Sequence, residues 1–192
     1  MAEIVQKEHK VLRGKAKEVP VEEICSVKIK KIIENMKRAL GSQDDGVAIA
    51  APQINVPLRI FVVSGKIFKT AEKATRKKDS PSGTSSRGVL GESGFGDGDL
   101  VFINPQIIKL SKKKESLPEG CLSVRWLYGE VKRSTNATIR AYSEDGKVFT
   151  RGGGGLLAQI FQHEVDHLNG ILFTDKAKNL VELKPEDLKK HA

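Results

Sequence analysis

The chain has 192 residues, enough for one domain with a real core and too few for two comfortable ones. Its 39% hydrophobic and 30% charged content describes an ordinary soluble globular protein, and no apolar run approaches the roughly 20 residues that cross a bilayer. A net charge of +9 with only 5% aromatics argues against base-stacking recognition of nucleic acid. It fits attraction to an anionic surface such as ribosomal RNA, and a solubilising surface accounts for it equally well.

The first ten residues, Met1 to Lys10, are charged and lack the apolar stretch of a secretory signal. The cytoplasm is therefore expected, with an organellar location if a transit peptide has been removed. In that compartment Cys25 and Cys121 are not expected to pair. The amphipathic run from Val21 to Leu40, with Ile24, Val27, Ile32, Ile33 and Met36, predicts a first helix, in which Cys25 reads as packing. Gly41 to Gly46 ends it, and the β-branched run Arg59 to Val63 predicts a strand.

Residues 64–99 are rich in Gly, Ser, Lys and Asp and read as a flexible surface insertion without chemistry. Structure resumes with two short strands, Leu100–Ile103 and Gln106–Leu110, around Asn104-Pro105. Ala137–Tyr142 and Val148–Thr150 form a hairpin on the Asp145-Gly146 turn pair, and Arg151 to Gly155 then leads into a helix. A basic tail at 176–192 closes the chain, with a short helix over Pro185 to Lys190. The sum is a single α+β domain, 1–192, with short antiparallel strands packed around a central helix.

That helix carries Gln162-His163-Glu164-Val165-Asp166-His167. Four positions are just over one turn, so His163 and His167 project from one face and can grip a single ion. Glu164 is rotated by about 100°, close enough to reach the ion's water without ligating the metal. Leu156, Leu157, Ile160 and Phe161 before the pair, and Leu168, Ile171, Leu172 and Phe173 after it, make the helix mostly buried. Buried His, Glu and Asp need partners, and a metal would satisfy the central pair. A hydrolytic metal keeps one position open, which calls for one more protein ligand. Asp166 and Asp175 are candidates. Cys121, in Pro118-Glu119-Gly120-Cys121-Leu122-Ser123, is the better one, its ordinary alternative being a small buried hydrophobe.

Glu119-Gly-Cys-Leu-Ser123 and Gln162-His-Glu-Val-Asp-His167 resemble two signature motifs of the peptide deformylases, and Gly46-Val-Ala-Ile-Ala-Ala-Pro-Gln53 resembles the third, in the same order. The similarity spans about Val11 to Phe173, except the insertion. It implies that Cys121, His163 and His167 bind one divalent metal, Fe(II) natively, with Zn(II), Ni(II) or Co(II) able to substitute. It implies Glu164 as general base and acid, and the Gln53 amide and Leu122 backbone N–H as donors to the formyl oxygen. The substrate would be the N-formylmethionyl end of a nascent polypeptide, with formate released and no membrane involved. Leu156 and Ile160 are the candidate walls of the methionine pocket. The segment from Gly46 through Ala48 to Ala50 would pair with the extended peptide. A monomer is expected. An Arg133–Asp166 pair is a candidate support for the helix.

Two departures stand out. Ala48 replaces the glycine usual in the first motif, and Arg125-Trp126 stand where a Pro-Gly pair is usual; Trp126 reads equally as cover for the cleft rim or as simple packing. The rival readings are a zinc peptidase of the His-Glu-x-x-His type and an inactive basic protein bound to the ribosome surface.

Overall fold

The structure, a computed structural model, describes residues 2–68 and 98–183. Among the described residues, eight strands form two sheets. The larger runs in the order β1 (Ala48–Ala50), β2 (Ile60–Val63), β3 (Leu100–Leu110), β6 (Asn136–Tyr142) and β7 (Val148–Gly154). The smaller joins β4 (Lys114–Gly120), β5 (Leu127–Ser134) and β8 (Lys178–Glu182). Every pair of neighbouring strands is antiparallel.

Side chains alternate across a strand, and the central strands are apolar at nearly every position, so both faces of the larger sheet must be covered. Ile49, Ile60, Val62, Val101 and Ile103 meet helix α1 (Val27–Gly41) through Ile29, Ile33, Met36 and Leu40. Ala50, Phe61, Val63 and Phe102 meet helix α2 (Gly155–Leu168) through Ala158, Ile160, Phe161 and Leu168. Phe61 and Phe102 stack at 4.5 Å, and Phe161 meets Phe102 edge-on at 5.3 Å. A third cluster, Leu12, Val124, Val131, Leu172 and Phe173, fixes the smaller sheet. The helix with the two histidines is thus clamped at the centre of the domain.

Several sequence expectations need correcting. The first helix begins at Val27, because the Ser26 hydroxyl accepts the Ile29 N–H and caps it; residues 21–23 make a separate 3₁₀ turn. Val27 is exposed, and so is Cys25, which is not core. The two strands around Asn104-Pro105 are one, β3, with a register shift there. Asn104 takes φ +50°, and its side-chain amide bonds both the N–H and C=O of Val19, at 2.8 and 2.7 Å. The glycine run Gly152–Gly154 belongs to β7, paired with β6. Strands β4 and β5 carry no clear alternation in sequence, and β8 occupies part of the expected tail.

The proposed insertion also starts later than its composition suggests. Ser64 and Gly65 are buried, and Ile67 and Phe68 pack against the α2 side of the core. Residues 69–97, the bulk of the expected insertion, and the expected helix Pro185–Lys190 lie outside the described residues.

Candidate active site

Helix α2 brings His163 and His167 together with ring centroids 4.9 Å apart. The loop after β4 supplies Cys121, whose Sγ lies 3.2 Å from His167 Nε2. Ligand atoms of Cys121, His163 and His167 all fall within 4.8 Å of one another, a spacing that one cation can bridge. The two acids considered as alternative ligands are engaged elsewhere. Asp175 pairs with Arg13 at 2.6 Å and accepts the Leu172 N–H, while Asp166 faces Arg133 and Lys176.

The donor chemistry fits a metal. His163 Nδ1 sits 3.0 Å from Glu119 Oε2, so a proton on Nδ1 leaves Nε2 free to ligate. Burial drives the His167 imidazole well below its ordinary pKa, into the neutral form that ligation requires. His163 is shifted upward, because Cys121 and Glu119 together outweigh the burial that opposes its charge. A cation at Nε2 would take that proton's place.

Glu119 was visible in the sequence only as a motif letter; the structure gives it a task. Its side chain is almost wholly buried, with Arg133 bound bidentately at 2.7 and 2.9 Å. Burial alone would raise its pKa, but hydrogen bonds from Arg133 and His163 hold it down to about 2. Arg133 also reaches Asp166 at 2.6 Å, as the sequence suggested, and Lys176 completes the chain on Asp166. Lys176, Asp166, Arg133, Glu119 and His163 therefore form a chain of ion pairs and hydrogen bonds from the surface to the candidate metal site. The general signal was there: an acid beside a candidate ligand, inside an apolar core, needs a cation.

Glu164 lies beside the ligands, 3% exposed, with no hydrogen-bond partner on its Oε2 among the described residues. Burial pushes its carboxyl up to about 7, with the positive His163 opposing. A carboxyl near neutrality takes and returns a proton efficiently at physiological pH.

Gln53 is buried rather than surface-exposed. Its Oε1 accepts the Ala50 N–H at 2.8 Å, which turns Nε2 toward Cys121 Sγ (3.5 Å) and Ser123 Oγ (3.2 Å). Leu122 follows Cys121 and lines the same cleft, about 470 Å³ in volume. Gly120 keeps that wall thin, since a Cβ there would lie 2.7 Å from the Tyr128 ring.

The cleft runs between two sheet edges, β1 of the larger sheet and β4 of the smaller. Ala48, on β1, pairs with Val63 of β2, and its side chain packs in the apolar cluster with α2. Ile160 is a buried part of the cleft wall, whereas Leu156 is half exposed at its mouth. Gln159, polar in an apolar stretch, donates to the Pro118 carbonyl at 2.9 Å and so ties α2 to β4. Gln162 exchanges 3.0 Å hydrogen bonds with both backbone groups of Ser134, fixing α2 to β5. Trp126 is among the residues that line the cleft.

Residues 1–182 match the profile of the polypeptide deformylase family. A peptide deformylase of Halothermothrix orenii is 38% identical over 172 residues, covering 90% of this chain and 90% of its own length. The crystal structure of peptide deformylase from Thermotoga maritima superimposes with a TM-score of 0.71 at 29% identity, covering 93% of this chain and 98% of that one. A Met-Ala-Ser-bound crystal structure of a class I type b peptide deformylase from Acinetobacter baumannii gives 0.71 at 27% identity, over 92% and 99%.

Proposed function

Because this chain belongs to the polypeptide deformylase family, we propose that Cys121, His163 and His167 hold the divalent metal with which it removes the N-formyl group of nascent polypeptides. The observation that carries this reading is the convergence of those three donors, with a buried Glu164 on the same helix whose Oε2 has no partner among the described residues. One thiolate and two imidazoles suit Fe(II), Zn(II), Co(II) or Ni(II), and Fe(II) is taken as native on the family resemblance. When bound, such an ion supplies Lewis acidity and makes water acidic enough to ionise near neutral pH.

The protein's own groups do the rest. Glu164 takes a proton from the attacking water and delivers it to the leaving amine, a role open to a buried carboxylate whose Oε2 has no other partner among the described residues. Gln53 Nε2, held by its Oε1 bond to Ala50, and the Leu122 N–H donate to the formyl oxygen as negative charge develops there. To donate there, Gln53 Nε2 gives up its hydrogen bond to Ser123 Oγ. The methionine side chain enters against Ile160, with Leu156 at the entrance. The peptide backbone lies extended along the outer edge of β1, from Gly46 through Ala48. The Glu119–Arg133–Asp166 chain orients His163 and resists rotation of the ligands.

The protein acts where formylated chains are made, by this reading the cytoplasm. Its charge of +9 supports contact with the ribosome surface. No described helix is long and apolar enough to cross a membrane.

The test is product analysis with formyl-Met-Ala-Ser as substrate. Deformylation gives formate and one new amine at methionine; a zinc peptidase would cut an internal bond and release no formate. Gln53→Ala should lower kcat about 10²- to 10³-fold, the effect of losing one oxyanion donor. Unaltered kcat in that variant would remove Gln53 from the chemistry.

A further inference from the structure

We propose that Val5 and Gln6 are positioning residues: segment 2–6 straps together the two stretches of chain that carry Gln53 and Leu122, and so sets the spacing of the donors to the formyl oxygen. The proposal rests on the deformylase reading and adds to it a part of the chain outside the three signature motifs.

Gln53 and Leu122 lie far apart in sequence. Among the described residues no backbone hydrogen bond joins residues 46–56 directly to residues 118–126. Segment 2–6 supplies that link. The Val5 N–H donates to the Gln53 carbonyl at 2.9 Å, and the side-chain amide of the next residue, Gln6, donates to the Leu122 carbonyl at 3.2 Å. The same Nε2 lies 3.3 Å from the Ile4 carbonyl, so both of its hydrogens find acceptors.

Packing repeats the pattern. Ile4 packs against the core beneath α1, in the cluster that contains Leu122. Val5 packs instead against the cluster of Leu12, Val124 and Phe173, as Cys121 does. Neighbouring residues are thus seated in two parts of the core, and the strap cannot slide without unseating one of them.

Each donor is left with what the reaction needs. The Leu122 carbonyl is engaged, while its N–H has no acceptor among the described residues. The following N–H, of Ser123, lies 3.5 Å from Cys121 Sγ, so the Leu122–Ser123 peptide group is held at both ends. Gln53 is held by its main chain, and its Nε2 can exchange Ser123 Oγ for the formyl oxygen while the rest of the residue stays in place. Oxyanion donors act over about 2.7–3.1 Å, and a misplacement of about 1 Å can cost about 10²-fold in rate.

The experiment measures kcat and KM for formate release from formyl-Met-Ala-Ser with the metal-loaded wild type and its variants. Gln6 is exposed, so its replacement leaves the core intact. Gln6→Met, which keeps the length and loses the donors, should lower kcat about fivefold, the worth of one hydrogen bond, with KM within about twofold. Gln6→Lys, which restores a donor, should recover most of that loss. Val5→Pro removes the N–H that holds Gln53. Alone it should lower kcat about tenfold; added to Gln53→Ala, whose donor is already gone, it should lower kcat about twofold or less.

Hydrogen exchange in the metal-free full chain gives a readout without turnover: the Val5 amide should exchange about tenfold or more slowly than in a free peptide. An unprotected Val5 amide, an unchanged kcat in Gln6→Met, or an equal loss from Val5→Pro with and without Gln53→Ala would overturn the proposal. If wild type releases no formate, the deformylase reading falls and the proposal with it. Formate from wild type together with any of those three results removes the proposal alone.

Discussion

Arg133 and Arg125 lie close in sequence, and each binds carboxylates, yet they belong to different kinds of structure. Arg133 is buried between Glu119 and Asp166 at the back of the metal site, its side chain 4% exposed. Arg125 crosses the mouth of the cleft to an Asp45 that is 54% exposed. A buried pair is costly to assemble and very costly to break, because removing one partner strands the other charge in low dielectric. An exposed pair is screened by water and contributes little to stability. The first arrangement makes a site that cannot move; the second holds a surface that can vary without endangering the fold. The deep network braces His163 through Glu119, and the rim pair ties the loop before β1 to the loop after β4.

The sharpest way to break this comparison is Arg133→Met, which leaves Glu119 and Asp166 buried without their cation. Urea unfolding should show a loss of about 3–5 kcal/mol. A loss within about 1 kcal/mol would mean that the deep network is no more demanding than a surface pair.

A smaller effect tests Glu164 through pH. Its carboxyl is raised from 4.5 to about 7 in the folded, metal-free protein, so the unfolded chain ionises first. The sign is therefore unfavourable: native stability falls as pH rises from about 4.5 to about 7, and the penalty is complete above that. Metal-free Glu164→Gln should melt higher than metal-free wild type at pH 8, and the advantage should shrink toward pH 4.5. Equal melting points at both pH values would show that Glu164 carries no burial penalty.

The smallest expected effect lies at the rim. Asp45→Asn should change stability by less than about 1 kcal/mol in urea unfolding. A loss approaching that of Arg133→Met would erase the distinction between the two regions.

Much of the site was legible because its residues obey short-range rules. His163, Glu164 and His167 follow from helical periodicity, and the Arg133–Asp166 contact from the need to neutralise a buried acid. The bridging role of Glu119 was not legible, since it depends on register between β4 and β5 and on the packing of α2 across them. Arg125 with Asp45 is likewise a contact between loops distant in sequence, beyond the reach of any periodicity. In the fold, the fully apolar β2 announced itself, as did α1 apart from its start. Strands β4, β5 and β8 did not, because only their tertiary pairing makes strands of such polar sequence. The start of α1 was misplaced for a local reason, the Ser26 cap, which outweighed the amphipathic pattern running through it.

The most direct test of the central claim is a parallel measurement on Glu164→Gln of bound metal per chain and formate released from formyl-Met-Ala-Ser. Cys121, His163 and His167 should retain one ion per chain while turnover falls by about 10²- to 10⁴-fold. Turnover near the wild-type rate, or loss of the ion together with activity, would contradict the division of labour between the three ligands and the buried carboxylate.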